Sequence, residues 1–140
     1  MKKLQFSTTI NASPQEVWNK LWSDDSYRKW TAVFAEGSYA ESDWQQGSEI
    51  RFLGPQGGGM YAIIETMIPN KEMNFKHMGE IKDGVVVEQP WAGAHERYLL
   101  NEKDGATELI VEMDTTEEMG NYFSEKFPAA LAILRKISEQ

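Results

Sequence analysis

The sequence predicts an α+β fold: a curved antiparallel sheet of about six to seven strands wrapped on one long C-terminal helix, with two short helices after the first strand. Three observations predict it. Residues 37–114 read as short strands joined by tight turns, with Asp83-Gly84 and Asp104-Gly105 as hairpin signals. Strands that succeed one another through such short turns pair antiparallel. From Glu117 onward apolar residues recur at three- and four-residue spacing, the mark of an amphipathic helix. Directly after the first alternating segment, Ser13-Pro14-Gln15-Glu16 carries the chemistry of a helix start.

Each element follows from its residues. Leu4 to Ile10 alternates, with Leu4, Phe6, Thr8 and Ile10 on one face, as in a half-buried strand. Ser13 suits an N-cap, Pro14 the first helical position, and Glu16 completes a capping box. The helix that follows puts Val17, Trp18, Leu21 and Trp22 on one side. A second short helix starts at Ser23 or Asp24 and carries Tyr27 and Trp30. Strands are expected over residues 48–53, 60–67, 73–78, 85–87, 96–102 and 107–113. In the final helix Met119, Tyr122, Phe123, Phe127, Leu131 and Leu134 share a face, and Pro128 lies inside it, where the missing amide predicts a kink.

Composition bounds the function. A chain of 140 residues with 41% hydrophobic and 26% charged residues is sized for one domain, residues 1–140, with one core. The net charge of −8 disfavours nucleic acid and anionic membrane surfaces as partners, and no basic run exceeds a pair such as Lys2-Lys3. With no cysteine there is no disulfide framework, thiol nucleophile or thiolate metal site. No apolar run approaches the roughly 20 residues of a membrane span, and the first residues lack the apolar stretch of a signal peptide. The cytoplasm is the expected location. A homodimer, the commonest assembly for small domains, is the expected oligomer if there is one.

A curved sheet wrapped over one helix diverges from that helix at its ends. The space left is filled by large side chains or kept for a ligand. The candidate wall residues are bulky: Trp30, Phe52, Ile64, Met73 and Phe75, then Trp91, Tyr98, Met113, Phe123 and Phe127. Aromatic and methionine side chains make adaptable walls for an apolar site, and serve equally well as core filler.

The pattern resembles a known superfamily. Ser-Pro-Gln-Glu-Val-Trp (13–18), Tyr-Arg-Lys-Trp (27–30), Gly-Ser-Glu-Ile-Arg-Phe (47–52), Glu-Thr-Met-Ile-Pro-Asn-Lys-Glu-Met (65–73) and Glu-Lys-Asp-Gly-Ala-Thr-Glu-Leu (102–109) stand in order before the aromatic-rich last helix. Together they are similar to the SRPBCC superfamily, the START-like helix-grip proteins. Within it they look closest to the branch named for the activator of heat-shock-protein ATPase homologue. The resemblance spans essentially the whole chain. It implies the helix-grip fold and a cavity, and a function among lipid and hormone binding, polyketide cyclase or aromatase chemistry, and chaperone-linked interaction.

Candidate chemistry is sparse. His77 shares a face with Met73 and Phe75. It is either a cavity general base or a histidine bonded within the strand layer. Glu96 shares a face with Tyr98 and Leu100. It is then a cavity carboxylate, with Arg51 as partner, or Arg97 if the face is reversed, able with Tyr98 to orient a ligand's hydroxyl or amine; the alternative is a carboxylate at the mouth in water. His77 and His95 are the two histidines, and zinc wants three or four convergent ligands, so no metal or cofactor is expected. Gly57-Gly58-Gly59 reads as a hairpin tip or lid, and Trp91 as a gate or plug in a loop. The expected function is binding of a hydrophobic small molecule, a lipid, polyketide or aromatic compound. The alternatives are a cyclase- or dehydratase-like enzyme using His77, Glu96 or Tyr98, and a chaperone-linked interaction module.

Overall fold

Alternation from the first residues builds β1 (Lys2–Ile10), whose even-numbered side chains turn inward. This computed structural model describes residues 1–55 and 58–140. Two helices follow, α1 (Pro14–Trp22) and α2 (Asp24–Thr31). The Ser13 hydroxyl oxygen accepts from the Glu16 amide at 3.2 Å, as an N-cap should. The rest of the capping box differs from expectation: the Glu16 carboxylate meets the Ser13 hydroxyl at 3.3 Å. Val17, Trp18, Leu21 and Trp22 are the buried face of α1, and the Trp30 indole N–H donates to the Leu21 carbonyl at 3.1 Å, pinning α2 to α1.

Seven further strands follow: β2 (Tyr39–Ser42), β3 (Glu49–Leu53), β4 (Gly59–Ile68), β5 (Glu72–Lys82), β6 (Val85–Glu88), β7 (Ala94–Lys103) and β8 (Ala106–Thr115). The sheet order is β1-β8-β7-β5-β4-β3-β2, with β6 also on β5, and the paired strands are antiparallel. Among the described residues this makes eight strands. The addition to the expected set is β2, four residues without clear alternation. Both Asp-Gly turns have positive φ at both residues, 52° and 78° at Asp83-Gly84 and 52° and 85° at Asp104-Gly105. That backbone joins twisted strands tightly.

Two features of β4 and β5 were not visible in the alternation. The pairing slips at Met78, between Tyr61↔Gly79 and Ala62↔His77, and at Glu65, between Ile64↔Phe75 and Thr66↔Asn74. Each extra residue is a β-bulge, which reverses the in–out parity beyond it and sharpens the bend of the sheet. Strands β6 and β7 lie along the same edge of β5, so the chain from Val85 to Lys103 is one strand line interrupted by residues 89–93.

The long helix α3 (Glu117–Ser138) opens with a Thr116 hydroxyl cap accepting from the Met119 amide at 3.2 Å, and Glu117 and Glu118 complement the dipole there. It continues through Pro128 as one helix. It packs on β1, α1 and α2. Its C-terminal half sits on the tightly filled end of the sheet, where Ile10, Val17, Leu21, Leu109 and Leu134 are all fully buried. No helix is long and apolar enough to cross a membrane among the described residues.

Candidate functional site

At the other end the sheet and helix part, and a cavity of about 500 Å³ lies between them. Helical spacing supplies one wall. Tyr27, Trp30 and Phe34 project from α2 and the turn after it, and Met119, Tyr122, Phe123 and Phe127 from the first turns of α3. The sheet supplies the opposite wall, from the ends of β3 and β4, from β5 at His77 and Glu80, and from β7 and β8. The Phe34 ring meets that of Phe123 at a tilt and that of Phe127 edge-on, at 6.3 and 4.9 Å between ring centroids, which ties the two helical walls together.

Of the expected wall residues, Trp30, Phe52, Trp91, Tyr98, Met113, Phe123 and Phe127 line the cavity. Ile64, Met73 and Phe75 do not reach it and are fully buried in the core. They sit on the inward face as expected, but farther along the strands, where α1 closes down on the sheet. There Trp22 meets the Phe75 ring edge-on at 5.3 Å and leaves no space. Tyr27, Phe34 and Tyr122 were not read as wall. Their signal was present as helical spacing, Tyr27–Trp30–Phe34 and Tyr122–Phe123–Phe127.

One polar cluster stands on this apolar surface. His77 faces Ala94 across the β5–β7 ladder and Phe75 faces Glu96, so His77 and Glu96 are diagonal neighbours on the inward face. The His77 Nε2 lies 2.9 Å from Glu96 Oε1, and the Tyr98 hydroxyl donates to Glu96 Oε2. The partner of Glu96 is therefore neither Arg51 nor Arg97. Arg97 projects from the outer face and bonds Glu72 at 3.0 Å and Glu112 at 3.4 Å. The hydrogen bond to Glu72 holds its guanidinium above the ordinary range.

The tyrosines around Glu96 are held neutral. Burial raises Tyr98 well above the ordinary phenol range, and the charge of Glu96 and the hydrogen bond to it add to the shift. Burial raises Tyr27 in the same way, with the Glu96 charge second. The Phe52 ring lies 5.6 Å from the His77 ring. Beyond His77 the bulge at Met78 turns Glu80 toward the same cavity.

Other candidates lie elsewhere. His95 projects from the outer face, 3.2 Å from Glu65 and 3.8 Å from Asp114. It does not converge with His77. Trp91 is on the five-residue interruption between β6 and β7 and reaches the cavity, as do Gly58 and Gly59. Gly57, the first residue of the expected hairpin tip, lies outside the described residues.

This geometry agrees with known relatives. A family model described as "Activator of Hsp90 ATPase homolog 1-like protein" matches residues 11–139. The chain belongs to that family. None of the curated proteins matches it in sequence. Solved structures share the fold. A protein of Mesorhizobium loti superposes with a TM-score of 0.76 at 13% identity, covering 96% of this chain and 95% of that one. The Aha1 dimer of Colwellia psychrerythraea gives 0.74 at 22%, covering 99% and 97%. CalU16 of Micromonospora echinospora gives 0.72 at 18%, covering 97% and 75%. At these identities the likeness establishes the helix grip alone. Membership of the family supports a ligand-binding domain in general.

Proposed function

We propose that residues 1–140 act as one domain that holds a hydrophobic small molecule, of the lipid, polyketide or aromatic kind, in the cavity. One observation carries this reading: about 500 Å³ of space lies inside the grip, walled by aromatic and methionine side chains, with the Glu96 cluster on its sheet wall. Ligand sites have this size and character. The cluster fixes the ligand's polar end. A chain without cysteine fits the reducing cytoplasm, and the dimer formed by the Colwellia protein supports a homodimer here.

The convergence of His77, Glu96 and Tyr98 favours a second reading, a cyclase- or dehydratase-like enzyme in which Glu96 moves a proton for the bound molecule. An interaction module predicts a filled interior and an exposed apolar patch; the cavity argues against it, while the exposed Val85, Val86 and Val87 of β6 argue for it.

Native mass spectrometry of freshly purified protein, paired with titration of the neutral dye Nile red, tests the binding reading. The expected result is a co-purified mass lost on denaturation, or saturable dye binding weakened by Phe123→Ala. An empty protein that also fails to bind the dye overturns it.

A further inference from the structure

The acidic side chains on the wall of this cavity are not balanced by basic ones on the same wall. Glu80 and Glu96 lie on it, and among the described residues no Lys or Arg side chain does. Glu80 is matched by a cation, the Lys82 ammonium 3.1 Å away.

Glu96 has no such partner. It meets the His77 imidazole and the Tyr98 hydroxyl, one on each oxygen, and its side chain keeps 19% of its surface open. A carboxylate offers about four lone-pair sites, so acceptor capacity remains for a ligand. A second carboxylate brought here is repelled in a poorly solvated space. An ammonium group instead makes a charge-assisted hydrogen bond, and aromatic walls such as Trp30 and Phe52 add cation–π attraction.

Building on the binding function proposed above, we propose that the cavity selects apolar molecules carrying a cationic amine and rejects carboxylates of the same size and shape. Glu96 is the group that discriminates, and Tyr98 and His77 position it.

Three probes of one shape test this: 1-naphthylmethylamine, 1-naphthalenemethanol and 1-naphthoic acid, titrated by calorimetry at about pH 8, where the amine is largely cationic and the acid ionised. The amine is expected to bind at least about tenfold tighter than the acid, with the alcohol between them. The amine should also displace the alcohol, which places it in the same cavity. Glu96→Gln should abolish the amine's advantage over the alcohol and the acid, and circular dichroism with a cooperative melt reports that the variant is folded. The ratio in the wild-type protein is measured again at about 1 M salt, where attraction to the acidic exterior is screened out and a preference set inside the cavity persists.

An acid that binds as tightly as the amine overturns the selectivity and leaves the binding function standing. So does an amine preference that survives Glu96→Gln or vanishes in salt. Failure of all three probes to bind overturns the selectivity, and overturns the binding function as well where Nile red also fails to bind.

Discussion

Replacing Tyr98 by phenylalanine removes one hydroxyl and leaves the rest of a buried ring in place. The ring is 1% exposed and keeps its edge contacts with Trp22, Trp30 and Phe75, at 4.9, 6.3 and 6.2 Å. The loss is confined to the bond that the hydroxyl donates to Glu96. Hydrogen bonds to charged groups contribute about 1.5–3 kcal/mol. Here the lower part of that range applies, because Glu96 keeps its contact with His77 and has 19% of its side chain open to replacement water. We predict a destabilisation of about 1–2 kcal/mol. For 140 residues the unfolding entropy is about 0.3 kcal/mol/K, so the melting temperature falls by about 3–7 °C. Calorimetry and urea denaturation measure it, and a cycle with Glu96→Gln isolates the pair. The coupling expected between the two sites is about 1 kcal/mol. Strictly additive single and double variants, within about 0.5 kcal/mol, would refute the bond as a stabilising contact.

Two further outcomes follow from the same structure. A Cβ added at Gly79 meets the Val87 carbonyl oxygen at 2.7 Å, so Gly79→Ala should cost about 1–3 kcal/mol and speed amide exchange in β6; an unchanged denaturation midpoint and unchanged exchange would contradict that packing. Because the folded protein raises Tyr27 and Tyr98 far above the phenol range of about 10, the native state binds protons more tightly than the unfolded one. Stability is then full below about pH 10 and falls as pH rises beyond it. Tyrosinate absorbance should show a late step that coincides with loss of fold, and ionisation of all five tyrosines near pH 10 in intact protein would count against it.

Most of the architecture was legible because it rests on local rules. Alternation marked β1 and β8, Asp-Gly marked two hairpins, and three- and four-residue spacing marked α3. Each member of the polar cluster was also legible singly, since alternation alone turned His77, Glu96 and Tyr98 inward. Their meeting was not, because it depends on Phe75 facing Glu96, a register set by residues far apart in the chain. The bulges at Met78 and Glu65 have no local signature, being defined against a partner strand. The same gap led to Arg51 and Arg97 as expected partners of Glu96. Nor does periodicity say how far along an inward face the cavity reaches, which is why Ile64, Met73 and Phe75 were grouped with its wall.

The uneven closure of the grip divides labour along a single sheet. Ile10, Val17, Leu21, Leu109 and Leu134 are jammed together where α3 meets β1 and α1, and a methylene lost there leaves a hole. Phe34, Phe52, Trp91 and Phe123 border the cavity, so trimming or enlarging them changes its size instead of opening a hole in packed core or overfilling it. Changes of cargo can therefore accumulate at one pole of the molecule while the other keeps it folded, and a redesign of its preferences has a natural boundary near Phe75.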